Sequence, residues 1–178
     1  MSEVTAHTPG TFCWPELITA DAGRAKRFYA TLFAWSYVGE PVGGGMVYTM
    51  ARIAGKDVGA LYEMSEDMRS QGVPSHWGSY VCVESVDDST ERAKTLGGTL
   101  VMEPMDIFEY GRMATLQDPT GAYLSLWQPK QHIGAQLVAQ HGALTWTELM
   151  TRDVEAAERF YTALFGWDAD KASFAHMK

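Results

Sequence analysis

The sequence predicts an α+β fold built from paired strand-helix-three-strand modules, with a second copy of the pair only begun. Two observations carry this prediction. A block of 22 residues at 14–35 recurs without a gap at 146–167, and 12 of its positions are identical. Residues 11–128 show the order strand, helix and three strands twice. The offset of 132 residues is too long for a solenoid repeat and suits a duplicated domain.

The first module begins with a strand, because residues 11–19 alternate between two faces. Asp21 is a good N-cap for the helix that follows. That helix carries an apolar stripe at helical spacing, which we expect to pack in the core: Ala25, Phe28, Tyr29, Leu32 and Phe33. Three strand-like runs, separated by glycine-containing turns, complete the module: 36–38, 46–52 and 58–62.

The second module follows a polar connector at 63–75. Asp87 or Asp88 can cap its helix, which Gly97 and Gly98 stop. A turn of Asp118-Pro119-Thr120-Gly121 joins the last two strands. The strands that we predict are 77–83, 99–102, 112–117 and 122–128.

The second copy restarts the pattern with a strand at Leu144–Met150 and a helix at Asp153–Phe165. We therefore divide the chain into a double-module domain at 8–129, a linker at 130–142 and an incomplete second domain at 143–178. An isolated strand is a template for pairing. We expect residues 144–178 to need a partner, which makes them a possible contact for a homo-oligomer.

Composition limits the classes of partner. The net charge is −8 and no basic stripe occurs, which argues against nucleic acid and against an anionic membrane surface. No apolar run approaches the ~20 residues of a membrane span. Cys13 and Cys82 belong to no metal or redox motif, which predicts two buried thiols in a reducing, cytoplasmic setting.

The motifs resemble the vicinal oxygen chelate superfamily, which includes glyoxalase, bleomycin-resistance and extradiol-dioxygenase proteins. An Asp cap followed by RFY..LFGW looks like its first module, and DPTGAYLSLWQP looks like its closing hairpin. The chain is most similar to tandem actinobacterial glyoxalase-like proteins, in which the segment at His132–Ala135 joins two double-module domains. The resemblance implies paired βαβββ modules in a cupped mixed sheet around a small-molecule cavity.

The resemblance also implies four positions where metal-using members carry His, Gln or Glu. They correspond here to Trp14, a residue near Ala60, Gly78 and Ser125. Tryptophan, alanine and glycine side chains do not ligate a hard divalent cation, and serine is a poor ligand. We therefore expect the cup without a metal or other cofactor, and keep a divalent metal as the alternative.

Glu16 is the strongest individual candidate, because it follows Trp14 by two residues on one strand face. Glu148 repeats this spacing after Trp146. A carboxylate in an aromatic-lined cavity has a raised pKa and can bind a polar group or move a proton. The structural alternative is a carboxylate at a rim or hydrogen-bonded within the sheet.

Aromatic residues are the other ligand candidates. Trp14 either forms a stacking wall or fills the cup. If Ser125 faces the cup, strand alternation places Tyr123 and Trp127 beside it. Tyr80 lies on a strand of the same module. Aromatic side chains with few polar groups suit a planar or apolar ligand, but the same residues also suit a plain core.

Histidines add little to the predicted site. His76 would reach a ligand position only if the predicted register slips by two, and with Glu16 alone it falls short of the usual three or four protein ligands. His132 and His141 are expected at the surface.

These observations predict a metal-independent protein that binds an apolar or aromatic metabolite through Trp14, Glu16, Tyr80, Tyr123, Ser125 and Trp127. One alternative is a metal-dependent lyase, isomerase or dioxygenase with Glu16 as general base. Another is an interaction protein completed by a partner chain.

Overall fold

The computed structural model of the chain describes residues 2–170. Its strands are β1 (Ser2–Glu3), β2 (Phe12–Thr19), β3 (Ser36–Gly43), β4 (Met46–Ile53), β5 (Lys56–Glu63), β6 (His76–Cys82), β7 (Thr99–Ile107), β8 (Gly111–Gln117), β9 (Tyr123–Pro129) and β10 (Leu137–Val138). Its helices are α1 (Ala22–Phe33), α2 (Glu66–Ser70), α3 (Val86–Thr95) and α4 (Val154–Phe165). Two βαβββ modules are therefore present in the predicted order, with the short helix α2 inside the polar connector.

Eight strands form one mixed sheet in the order β3-β4-β5-β2-β6-β9-β8-β7. The sheet is curled into a half-barrel, which confirms the predicted fold class. The first strands of the two modules, β2 and β6, pair antiparallel at its centre, and each pairs in parallel with the last strand of its own module. This topology brings Glu16 opposite Ala60 on one side and Gly78 on the other.

The two faces of the sheet carry different clusters. On the convex face, Val81 and Leu126 pack with α3 and α4 in one apolar core. On the concave face, Trp14, Tyr80 and Trp127 form a second buried cluster. The register of β2 shifts between Phe12 and Trp14, and Phe12 packs against the first cluster while Trp14 lies in the second.

Helix starts follow capping chemistry, with one correction. Asp21 caps α1 as predicted, and its side chain accepts from the backbone N–H of Arg24. Asp87 and Asp88 do not cap α3. Ser85 caps it instead, and its side chain accepts from the N–H of Asp88. Both aspartates lie in the first turn, where their negative charges interact favourably with the helix dipole.

The apolar stripe of α1 is not a core stripe, contrary to the expectation from its spacing. Phe28 is 58% exposed and Leu32 is 51% exposed. Tyr29 and Phe33 are half-buried, beside the small core around Trp35. Helical periodicity identifies the face that can be buried, but it does not supply the neighbouring element that covers it.

The second copy is only partly formed as predicted. Its helix α4 packs beside α3 and buries Ala157, Phe160 and Leu164, so this segment has a partner within the chain. The strand predicted at Leu144–Met150 is absent. Leu144 makes one isolated bridge to Val138, and residues 145–150 have no regular structure. A β-strand is stabilised by pairing with neighbouring strands. Among the described residues, no strand lies beside residues 145–150 to pair with them. Residues 171–178 of the predicted incomplete domain lie outside the described residues.

Both cysteines are buried free thiols, as predicted. Within residues 2–170, no helix has the length and apolar character needed to span a membrane.

Candidate functional site

Glu16 lies at the centre of the concave face and is the focus of a hydrogen-bond network. The sheet register places the side chains of β4 and β6 on either side of it. The hydroxyl of Tyr48 donates to Oε2 of Glu16 at 2.6 Å, and the hydroxyl of Tyr80 donates to Oε1 at 3.0 Å. Glu16 is 7% exposed. The carboxyl group is therefore buried with a donor on each oxygen, which is how a buried polar group is tolerated.

The network continues beyond the two tyrosines. The indole N–H of Trp14 donates to the hydroxyl of Tyr48 at 3.0 Å. Ser125 is the strand partner of Tyr80 across β6 and β9, and Ser125 Oγ lies 3.0 Å from Thr115 Oγ1. The hydrogen bonds through Glu16 thus connect β4, β2 and β6. Such connected networks hold each member in one orientation.

The environment of Glu16 raises the pKa of its carboxyl group. Burial is the largest effect and raises the pKa of Glu16 above its ordinary value of 4.5, while hydrogen bonds from the two tyrosines and the charge of His76 oppose the rise. Burial and the Glu16 carboxylate also raise the pKa of Tyr48 and of Tyr80 well above 10.0. Both phenols are therefore hydrogen-bond donors at neutral pH. Glu16 can accept two O–H bonds as a carboxylate, or hold a proton as an acid.

One end of the half-barrel is closed by residues 130–136. This segment is bound to the Tyr110 carbonyl on one side of the sheet and to the backbone of Asp57 on the other. His132 lies between Trp14 and Trp127, with ring centroids 4.6 and 5.8 Å away, and its carbonyl accepts the Trp127 indole at 2.8 Å. The expectation that His132 is a surface residue is therefore wrong. Burial lowers the pKa of His132 below 6.5.

His141 is exposed, as expected, and its ring contacts Phe33 edge-on. The different outcomes for the two histidines follow from the path of the chain. Residues 130–136 cross the end of the sheet, whereas His141 follows the point where the chain leaves it.

Away from the closed end, the concave face carries exposed apolar side chains. Met113 pairs with Trp127 across β8 and β9, and Met105 pairs with Met113 across β7 and β8, so these side chains share one face. Exposed apolar residues border this face on both outer sides: Val38, Met46, Met102, Met105 and Tyr123. This side of the sheet combines a polar centre with a methionine-rich rim.

Four predicted ligand residues lie together in the structure. Trp14, Glu16 and Tyr80 contact one another through the network or the buried cluster, and Trp127 packs edge-on against Tyr80. Ser125 is the strand partner of Tyr80. Tyr123 differs, because it is 66% exposed at the rim rather than inside the cup.

The positions implied for metal ligands hold no set of donors. Gly78 pairs with Glu16, and His76 pairs with Ile18 two residues further along. His76 is exposed, and its Nδ1 lies 2.8 Å from the Pro74 carbonyl oxygen. Among residues 2–170, no group of three or more His, Cys, Asp or Glu side chains is arranged to hold a metal ion. The groups around Glu16 are phenols and a serine hydroxyl, which do not fit a divalent metal centre.

Two residues of the site were missed by sequence reasoning. Tyr48 donates the shorter hydrogen bond to Glu16, and Tyr62 stacks on Tyr48 with ring centroids 6.1 Å apart. Both lie on predicted strands. The alternation of those strands places each tyrosine on one face of the sheet, which was the available signal. Only the pairing of β4 with β5, and of β5 with β2, shows that this face brings Tyr48 and Tyr62 towards Glu16.

Two clefts lie apart from this centre. One of about 320 Å³ borders Lys56, Asp57 and the outer side of His132. The other, of about 360 Å³, lies between Phe12 and Trp146. Neither is lined by Glu16. We place the candidate site at the concave face because the buried carboxyl group and its donors converge there.

Comparison with known families agrees with the curled sheet and the paired modules. Residues 11–126 match the model of the glyoxalase/bleomycin resistance protein/dioxygenase superfamily. The chain belongs to this superfamily. The match covers both βαβββ modules and ends within β9, so the superfamily's unit coincides with the half-barrel that bears Glu16.

Relatives within the superfamily are longer than this chain. A Mycobacterium bovis protein, CFP32, whose name carries a provisional glyoxylase designation, is 41% identical over 93% of this chain and 64% of its own length. The anthracycline biosynthesis protein DauV of a Streptomyces species is 33% identical over 92% of this chain and 63% of its own length. The chain therefore spans slightly less than two thirds of these relatives.

Solved structures of the superfamily share the fold. The Mn(II)-bound glyoxalase from Novosphingobium aromaticivorans superposes with a TM-score of 0.60, covering 90% of this chain and 54% of that one at 15% identity. A variant of 4-hydroxymandelate synthase from Streptomyces coelicolor gives 0.59, covering 90% and 53% at 16% identity. At these identities the similarity concerns the fold, which hosts many chemistries.

Proposed function

We propose that this chain is a metal-independent small-molecule-binding protein whose ligand lies on the concave face over Glu16. The observation that carries the proposal is the carboxyl group of Glu16, buried in an aromatic environment and oriented by Tyr48 and Tyr80. A few converging polar groups on an otherwise apolar concave surface are the usual composition of a ligand site.

The ligand class follows from the surface around that centre. The methionine and tyrosine side chains of the rim, such as Met105 and Tyr123, are exposed and apolar. They suit a planar, apolar molecule, since methionine adapts its shape and contacts aromatic rings favourably. A carbonyl or hydroxyl group on the ligand would hydrogen-bond to Glu16. The name of DauV, an anthracycline biosynthesis protein, supports a polycyclic aromatic ketone as the first compound to test.

A metal-independent mode of binding is supported by the donors themselves. Each oxygen of Glu16 already accepts a phenol O–H. Its partner positions across the sheet are Ala60 and Gly78, whose side chains offer no ligand atom. A metal site at this place would have to be built largely from Tyr48, Tyr80 and Ser125.

An enzyme of the same superfamily is the second candidate, and the raised pKa of Glu16 favours it. A buried carboxylate is a stronger base than an exposed one, and it would take a proton from a carbon next to a ligand carbonyl. The phenol of Tyr48 or Tyr80 would then donate to the oxygen that gains charge. Such a proton transfer is the chemistry of a lyase or isomerase, whereas the dioxygenase alternative would require a bound divalent metal.

A third candidate, an interaction protein completed by a partner chain, is supported by the exposed apolar side chains of the second copy. Trp146 is 79% exposed and Met150 is 87% exposed. The cytoplasmic setting predicted from the cysteines is kept as part of the proposal.

Binding of an anthracycline aglycone, measured by quenching of tryptophan fluorescence, tests the first proposal. Trp14 and Trp127 lie beside the proposed site. Glu16→Gln should weaken binding about tenfold, because one hydrogen bond to the carboxyl group is lost or reversed. Glu148→Gln is the matched control, since Glu148 is the exposed counterpart of Glu16. Equal affinity of wild type and Glu16→Gln would contradict the proposal.

Two further measurements separate the candidates. Metal analysis of protein purified without chelator should find no stoichiometric Zn, Ni, Mn or Fe, and finding one would overturn the metal-independent proposal. If the protein turns over a compound, and Glu16→Gln removes turnover while affinity survives, the enzyme candidate replaces the binding protein.

A further inference from the structure

The two copies of the repeated block contact the rest of the chain reciprocally. The indole N–H of Trp35 donates to the Gly142 carbonyl at 2.8 Å, and that of Trp167 donates to the Gly10 carbonyl at 2.6 Å. Trp167 is the counterpart of Trp35, and Gly142 is the counterpart of Gly10, because the residue numbers of each pair differ by the repeat offset of 132. Here a residue of each unit makes the same contact with the other unit. Two units that contact each other in this reciprocal way are related by a twofold axis.

A short ladder locates this axis. Ser2 pairs with Val138 and Glu3 with Leu137 in an antiparallel ladder, and the Val4 N–H donates to the Gln136 carbonyl at 2.9 Å. Gln136 is itself the counterpart of Val4 by the same offset. An antiparallel ladder centred on a residue and its own equivalent has a local twofold axis at that pair. The residues from 136 onward therefore occupy the place of residues 4 onward in a second copy.

The helices break this reciprocity. In the second copy, Ala157, Phe160 and Leu164 of α4 are buried against the convex face beside α3. In the first copy, α1 has no buried residue, and Phe28 and Leu32 are more than half exposed. The residues that pack α4, together with Trp167, are all identical in α1 and its following turn: Ala25/Ala157, Phe28/Phe160, Tyr29/Tyr161, Leu32/Leu164, Phe33/Phe165 and Trp35/Trp167.

We propose that the apolar face of α1 docks on α3 of a second copy of this chain, and that α4 occupies that docking place in the closed monomer. The docking place includes Gly98, three residues after the end of α3. A Cβ on Gly98 would lie 3.0 Å from the Phe160 ring, so glycine leaves the space that the ring fills. Phe28 of a second copy would bring an identical phenyl ring to this place, because α1 carries the same apolar residues as α4.

The twofold axis makes the contact reciprocal. Each copy contributes α1 to the other and receives the other's α1 on α3, so one dimer contains two such contacts. The helix α4 competes with this assembly, because a tethered segment acts at an effective concentration of roughly millimolar. The wild-type chain is therefore mainly the closed monomer, and release of α4 shifts it towards the dimer.

Sedimentation analysis of variants of the 178-residue chain over a range of concentrations tests the proposal. Phe160→Asp places a charge in the α4 contact and should strengthen dimerisation by roughly tenfold or more over wild type. Adding Phe28→Asp should abolish this dimer, because it removes the incoming ring. Adding Gly98→Leu should abolish it as well, because it fills the receiving place. Arg27→Asp, on the opposite side of α1 from the apolar stripe, should leave the dimer intact.

A second variant covers the case in which Phe160→Asp disturbs the core. Trp167→Ala removes the anchor of α4 on Gly10 and changes no residue of the double-module domain. It should shift the equilibrium in the same direction. The proposal is overturned if both variants are monomeric at every concentration while circular dichroism shows the wild-type sheet. It is equally overturned if a dimer forms that Phe28→Asp does not weaken.

Discussion

The hydroxyl of Tyr48 lies 2.6 Å from Oε2 of Glu16, although the residues are 32 positions apart in sequence. Tyr48 is on β4 and Glu16 on β2, with β5 between them. The same hydroxyl accepts the Trp14 indole at 3.0 Å. One phenol thus connects a carboxyl group to an indole across the concave face, and loss of the phenol oxygen would remove the partner of Glu16 Oε2 and of the Trp14 indole.

Tyr48→Phe should therefore destabilise the protein by about 1–3 kcal/mol, which is the range for leaving buried polar groups unpaired. It should also raise the pKa of Glu16 further, because the hydrogen bond from Tyr48 is one of the effects that lower it. Urea denaturation measures the first effect, and carboxyl titration by NMR measures the second. Tyr110→Phe is the control, since Tyr110 is exposed and apart from the network. An unchanged Glu16 titration in Tyr48→Phe would disprove the assignment.

Glu16 should make folding stability depend on pH. Its folded-state pKa is raised above 4.5, so the folded state holds the proton more tightly than the unfolded chain. The resulting stabilisation is fully present below pH 4.5 and is lost as pH rises through the folded pKa. The free energy of unfolding of wild type relative to Glu16→Gln should fall across that window. Parallel curves for the two proteins would rule out this protonation behaviour, and Glu148→Gln should follow wild type throughout.

His132 should give the opposite dependence. Burial lowers its folded-state pKa below 6.5, so the neutral ring is favoured in the folded protein. The corresponding stability is present above pH 6.5 and is lost as pH falls through the folded pKa. His132→Gln does not titrate, and thermal melts should show wild type losing stability relative to it on acidification. A constant difference between the two would show that His132 is not held between the two indoles.

Gly134 should tolerate no side chain. Its φ is +103°, and a Cβ there would lie 2.5 Å from the Cys13 carbonyl oxygen. Gly134→Ala should cost about 2–4 kcal/mol, since backbone strain and a clash combine. Gly55 has a φ of +79° with nothing within 4 Å of the added atom, so Gly55→Ala isolates the strain alone at about 1 kcal/mol. Equal losses in urea denaturation would mean that the close contact is not formed.

Phe28 and Phe160 offer a comparison of one side chain in two environments. Phe160 is 2% exposed and Phe28 is 58% exposed. Phe160→Ala should cost about 3–5 kcal/mol in the stability of α4, the range for a truncated core aromatic. Phe28→Ala should stay within about 1 kcal/mol in the monomer. Hydrogen exchange of the α4 amides measures the first change, and similar losses for both variants would contradict the observed packing.

Sequence patterns predicted the modules because each strand and helix is encoded locally. Alternation at β2, the Asp21 cap and the turn at Asp118 each act within a few residues. Glu16 was selected as a candidate in the same way, from its spacing to Trp14. The superfamily resemblance then supplied the curled sheet, which local patterns do not contain.

The rest depended on contacts between distant segments. Tyr48 reaches Glu16 through two strand pairings, and His132 reaches Trp14 because residues 130–136 turn back across the sheet. The exposure of Phe28 was missed for the same reason. Phe28 and Phe160 occupy equivalent positions in the repeated block. Their exposure differs because α3 lies beside Phe160 and not beside Phe28.

Residues 130–136 also change where this protein can be cut or recombined. The family match ends at residue 126 and β9 ends at Pro129. These two limits suggest Pro129 as the last residue of a shortened protein. A fragment ending at Pro129 would lose His132 from between the two indoles, together with the backbone bond from Ala135 to Cys13. Dissection or domain grafting should therefore retain at least Val138, so that the transplanted unit carries its own end wall.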